Sequence, residues 1–83
     1  MDVKVLGTGC TKCQKLYAET ERAVSASGVA ASLVKVEKIE DIMEFGVMMT
    51  PALVVDGEVK CTGRVPRMPE IVAWLTAAAA RNE

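Results

Sequence analysis

Apolar and polar positions repeat along the chain with two different periods, and the changes between them mark out seven elements. Val3-Lys4-Val5-Leu6 is a short β-prone run stopped by Gly7 and Gly9. From Cys10 onward the period becomes helical. Cys13, Leu16, Tyr17, Thr20, Val24 and Ser27 fall on one face, the charged residues lie mostly elsewhere, and Gly28 predicts the end of the helix. Val29 to Val36 reads as strand again, and Ile39, Ile42 and Met43 predict a short second helix before Gly46. Ala52 to Val55, then Asp56-Gly57, then Glu58 to Thr62 predict a hairpin, because Asp-Gly supplies the two positive-φ residues of a type I′ turn. In that hairpin Cys61 shares strand parity with Val59 and is expected to face the core. Pro66 and Pro69 precede a last helix with the stripe Met68, Ile71, Val72, Leu75, Ala78 and Ala79; Trp74, on its shoulder, is expected to pack.

The order β-α-β-α-β-β-α predicts an α/β fold. A parallel βαβ half, an antiparallel hairpin and a closing helix make a mixed four-stranded sheet with helices on its faces. The chain has 83 residues and neither an internal repeat nor a linker, so a single domain spanning residues 1–83 is expected.

Composition narrows the function. About half of the residues are hydrophobic, enough to form a core without a disulfide framework, and three cysteines fit poorly with a stapled, secreted mini-protein. The N-terminus carries no signal-peptide pattern, and no run approaches the roughly 20 apolar residues of a membrane span. A cytoplasmic monomer without a membrane partner is expected. Ten Lys/Arg against eleven Asp/Glu give a net charge of −1 with no basic patch, and the three aromatics, Tyr17, Phe45 and Trp74, are well separated; nucleic acid is set aside. The absence of histidine removes the commonest general base and the commonest metal ligand together.

The chemistry that remains is sulfur chemistry. Cys10 and Cys13 stand three residues apart where the first strand gives way to the first helix. Unpaired N–H groups at a helix N-terminus favour negative charge, and the thiolate is the reactive form of cysteine. The helix terminus supplies less than the needed shift, so hydrogen bonding from Cys13 and the charge of Lys12 or Lys15 are the expected additions. Residues i and i+3 are close enough for a disulfide. Cys13 lies on the apolar stripe and Cys10 at the rim, which assigns Cys10 as the attacking thiolate and Cys13 as the resolving thiol. Two other readings use the same pair. Both cysteines can be small buried hydrophobes, or their thiolates can hold a soft metal such as Cu(I). Zinc suits the chain less well, since three cysteines and no histidine fall short of four N or S ligands. Small ferredoxin-like metallochaperones also carry C-x-x-C after their first strand, but they usually have a Met where this chain has Thr8, and they finish on a strand.

Cys10-Thr11-Lys12-Cys13 taken with Met48-Met49-Thr50-Pro51 and the Asp-Gly hairpin resembles the thioredoxin superfamily, in particular its compact thioredoxin/glutaredoxin-like branch of small redox-active disulfide proteins. The resemblance covers nearly the whole chain, including Gly63-Arg64-Val65-Pro66 before the last helix. It implies a thioredoxin-like fold and a thiol–disulfide oxidoreductase that exchanges electrons with protein disulfides through a redox-active Cys10–Cys13 pair. It further implies that Pro51 is cis beside the sulfurs and that the backbone of Thr50 pairs with an extended substrate segment. Two departures stand out. Gly9 replaces the tryptophan of Trp-Cys-Gly-Pro-Cys, with Thr11-Lys12 as the interior pair, and Lys4 stands where many thioredoxins bury an acid, six residues before the first cysteine. Both bear on the redox potential and on the route of the Cys13 proton.

Gly7-Thr8-Gly9-Cys10-Thr11-Lys12 has neither the phosphate-loop spacing nor the third glycine of a dinucleotide fingerprint. No bound cofactor is therefore expected, and electrons must come from another protein or a small thiol. Substrates are expected along the face of Cys10, Thr50-Pro51 and Gly63. Cys61 is read as core filling, and Met43, Met48 and Met49 as adaptable apolar residues, the last two forming a docking rim.

Overall fold

The computed structural model describes residues 1–81, with β1 (Asp2–Leu6), α1 (Thr11–Ser27), β2 (Ser32–Val36), α2 (Ile39–Met43), β3 (Ala52–Val55), β4 (Glu58–Thr62) and α3 (Met68–Arg81). The strands form one mixed sheet in the order β2-β1-β3-β4. β1 runs parallel to β2 and antiparallel to β3, which is antiparallel to β4. Because successive side chains point to opposite faces, each strand contributes to two layers. Val3, Val5, Leu53, Val55 and Cys61 pack beneath Leu16 and Ala23 of α1 and Ile71, Leu75 and Ala78 of α3. On the opposite face Leu6, Ala52 and Val54 meet Ile42 of α2, flanked by Val36, Phe45 and Val47.

Three local differences from the sequence pattern have physical causes. The buried seam of α1 is Cys13, Leu16, Thr20 and Ala23, while Tyr17, Val24 and Ser27 are only half-buried. Spacings of three and four residues keep this narrow seam toward the core, and the Thr20 hydroxyl donates to the Leu16 carbonyl at 2.7 Å. Strand β2 starts at Ser32, not Val29. Its partner β1 begins only at Asp2, which pairs with Ser32, and Val29 N–H is already bonded to Ser27 Oγ in the helix cap. In the hairpin, Asp56 (φ 48) and Gly57 (φ 81) form the expected tight turn. Beyond it, Val54 pairs with Val59 but Leu53 pairs with Cys61, so Lys60 is an extra residue in the ladder. Cys61 therefore packs under the helices, while Val59 is turned to the other face and is 36% exposed.

The register also assembles one end of the sheet. Leu6 pairs with Val36 on one side and with Ala52 on the other, and Ala52 pairs with Thr62. The loop after β1, the segment after β2, the residues before β3 and the turn after β4 consequently emerge together. α3 is tied to this end through Glu19 of α1, whose Oε2 accepts Met68 N–H at 3.1 Å.

Candidate active site

Gly7 continues the β1–β2 pairing by one residue, donating its N–H to the Val36 carbonyl at 3.0 Å. Thr8 and Gly9 then turn the chain, with Gly9 at φ 91, and Cys10 caps α1 from an extended conformation. The cap is made by sulfur: Cys13 N–H donates to Cys10 Sγ at 3.3 Å. Gln14 holds the turn, its Nε2 donating to the Gly9 carbonyl at 3.1 Å.

Helix geometry separates the two cysteines by environment. Cys10 is exposed and Cys13 is buried, 6% exposed. The Cys10 thiol is pulled below its usual range, first by the hydrogen bond from the Cys13 thiol and then by Cys13 N–H; the Lys12 backbone N–H adds to this. Cys13 is pushed the other way, first by burial and then by its hydrogen bond to Cys10. One dithiol thus holds a sulfur disposed to ionise in solvent and a sulfur disposed to keep its proton beneath it.

The Thr50–Pro51 peptide bond is cis. Pro51 is buried, Thr50 is exposed, and the Pro51 carbonyl accepts Gly63 N–H at 2.8 Å, which joins the segment before β3 to the turn after β4. Met49 lies across Gly63: a Cβ there would come within 2.9 Å of Met49 Cε. Met48 is 96% exposed beside it. Cys10, Thr50-Pro51 and Gly63 therefore converge at the end of the sheet that the strand register brings together.

Gly7 is a site residue that motif reading passed over. Its position is so tight that a Cβ would overlap Cys13 Sγ, lie 3.0 Å from Cys13 Cβ and stand 4.0 Å from Pro51 Cα. The bare backbone is what lets helix, strand end and proline segment meet; the only signal in the sequence was a glycine closing the first strand. Lys4, at the position where an acid is common, lies with Leu6 on the α2 side of the sheet, its Nζ 5.6 Å from the Phe45 ring centroid. Its ammonium is thus directed away from the face that carries α1. Cys61 is buried under the helices, where desolvation raises its thiol pKa. Among the described residues no group of three His, Cys, Asp or Glu side chains is placed to hold a metal ion, and no helix is long and apolar enough to cross a membrane.

Residues 1–76 match the family model described as a thioredoxin domain. The chain is 39% identical over 71 residues to a thioredoxin of Methanothermobacter thermautotrophicus, an alignment covering 86% of this chain and 92% of that one. A thioredoxin of Methanocaldococcus jannaschii is 35% identical over 69 residues, with 83% of this chain and 79% of the relative covered. A β-α-β-α-β-β-α chain that carries Cys10 and Cys13 at the mouth of α1, and matches these proteins over most of its length, belongs to the thioredoxin family of disulfide oxidoreductases.

Proposed function

We propose that the protein exchanges electrons with protein disulfides through Cys10 and Cys13. The observation that carries this reading is the asymmetry of the pair: an exposed Cys10 sulfur accepting a helix-terminal N–H, with Cys13 buried one turn behind it. The Cys10 thiolate attacks one sulfur of a substrate disulfide. A Cys10–substrate bond forms as the substrate S–S bond breaks, and the departing thiolate takes a proton from solvent. Cys13 then loses its proton and attacks Cys10 Sγ. The Cys10–Cys13 bond forms, the second substrate sulfur leaves as thiolate, and two electrons have passed from the protein to the substrate. The reverse sequence carries electrons the other way. Exposed Thr50, joined to Pro51 by a cis bond just before β3, offers a backbone edge on which an extended segment can lie, and Met48 and Met49 supply an apolar rim. The reaction belongs in the cytoplasm, where an external reductase or a small thiol restores the dithiol.

Trapping tests this assignment. Cys13→Ser should accumulate a mixed disulfide linked through Cys10 when mixed with a disulfide-bonded protein such as insulin, and Cys10→Ser should not. Absence of the adduct, together with a wild-type chain that neither forms an internal disulfide nor reduces insulin, refutes it.

A further inference from the structure

The sequence contains no basic run, yet the fold gathers cations along the α3-facing flank of α1. Lys12 and Lys15 are three residues apart and so are neighbours on one side of that helix. Lys15 lines an open groove of about 380 Å³ between α1 and the segment that leads into α3, with Ala18, Val65 and Pro66 as apolar lining and Arg67 contributed by that segment. The acid of the groove, Glu19, is already engaged: its carboxylate holds Arg22 at 2.8 Å and accepts Met68 N–H at 3.1 Å. Arg64, in the same segment, is held by both oxygens of Glu70 at 3.0 and 2.7 Å. Lys12, Lys15 and Arg67 are exposed and, among the described residues, have no ion pair. Acids gather elsewhere. Exposed Glu40, Asp41 and Glu44 lie in and just after α2, which covers the opposite face of the sheet, and Glu37 stands beside Gly9 on the other flank of α1. A chain of net charge −1 thus presents a positive groove next to its dithiol helix.

A groove of this sign complements carboxylates on a partner. We propose that it receives Asp or Glu side chains of protein substrates, which makes disulfides set in acidic segments the preferred substrate class. The proposal rests on the reading of Cys10–Cys13 as a redox pair and names what that pair selects. Helix geometry sets the spacing. Lys15 and Ala18 stand five and eight residues beyond Cys10, or about 8–12 Å along the helix at 1.5 Å per residue. An extended segment whose cysteine is joined to Cys10 covers that distance in about three residues. The carboxylates that fit are therefore those about three or four positions from the attacked cysteine. Their methylene stems rest on Ala18, Val65 and Pro66 while their charges face Lys15 and Arg67. The groove makes and breaks no bond. It raises the rate of encounter and holds the substrate while the Cys10 thiolate attacks.

The test uses peptides with a single cysteine, each carried as its mixed disulfide with thionitrobenzoate and differing only in Glu, Gln or Lys at the third and fourth positions on either side. The reduced full chain releases the chromophore, and each rate is divided by that of 2-mercaptoethanol on the same peptide to remove the peptide's own reactivity. At about 10 mM salt the Glu peptide should react about fivefold faster than the Gln peptide and the Lys peptide more slowly than either, whereas about 0.5 M salt should bring all three within about twofold. The Glu-to-Gln ratio is taken within each variant, so that any change in the dithiol cancels. It should fall about twofold in Lys15→Gln and in Arg67→Gln, and to about one in the double variant. Lys38→Gln, an equal loss of charge at the start of α2, should leave the ratio as it is. Equal rates for the three peptides at low salt, or a preference that outlives the double variant, overturn the proposal. Should the chromophore still be released in that case, the groove assignment alone has failed; should no peptide release it, the redox reading fails with it.

Discussion

Adding one methyl group at Gly7 is the most informative small change to the fold of the site. Its φ is negative, unlike that of Gly9 or Gly28, so alanine meets no backbone penalty there and the effect is one of space alone. The new Cβ would overlap Cys13 Sγ and press on Cys13 Cβ at 3.0 Å, with Pro51 Cα at 4.0 Å behind it. The sulfur can rotate, but the Cβ is fixed by the helix and the Cα by the proline segment. Overpacking of this kind costs about 1–3 kcal/mol. Stiffening of the unfolded chain by alanine returns about 0.4–1 kcal/mol. The net expectation is a loss of about 1–2 kcal/mol, or a fall in Tm of about 4–16 °C for a domain of this size. Urea unfolding of the reduced protein measures it, and a double-mutant cycle identifies the cause. In a Cys13→Ala background the overlapping sulfur is gone, so the cost of Gly7→Ala should drop by about half. A Gly7→Ala variant within about 0.5 kcal/mol of wild type, or one whose cost is the same with and without the Cys13 sulfur, would refute the reasoning.

Two further perturbations probe the frame around the site. Glu19→Ala removes the carboxylate that accepts Met68 N–H at the start of α3 and should cost about 0.5–2 kcal/mol in urea unfolding, whereas Glu19→Gln, which keeps an acceptor, should cost less than half of that. Burial raises the Cys61 thiol pKa, so the unfolded chain gives up that proton first. The stability of the reduced protein should therefore be intact below about pH 8.5 and decline above it, with the decline shallower in Cys61→Ala, as read by the urea midpoint at each pH. Cys13 contributes in the same direction; Cys10, shifted the opposite way, has its contribution complete by that pH.

Much of this architecture was legible as pattern. The change of period at Cys10, the cap at Gly28 and Asp56-Gly57 between alternating runs are local signals, and local geometry honours them. What escaped depends on a partner strand or on a close approach between distant segments. β2 is short because β1 offers nothing to pair with before Asp2, and Val59 points away from Cys61 because Lys60 is inserted opposite the Leu53–Val54 step. The direction of Lys4 is legible only once its face of the sheet is known. At the site, Cys10 and Cys13 announce themselves by spacing. Gly7 does not, since its importance lies in the atoms it lacks.

The most direct test is a titration of the two thiols, following thiolate absorbance of the reduced protein against pH, with Cys10→Ser and Cys13→Ser separating the signals and Cys61→Ala in every sample. The account predicts that Cys10 ionises below the roughly 8.5 of a free cysteine and Cys13 above it. A Cys10 that keeps its proton to or beyond that value, or a pair that ionises in the opposite order, would contradict it.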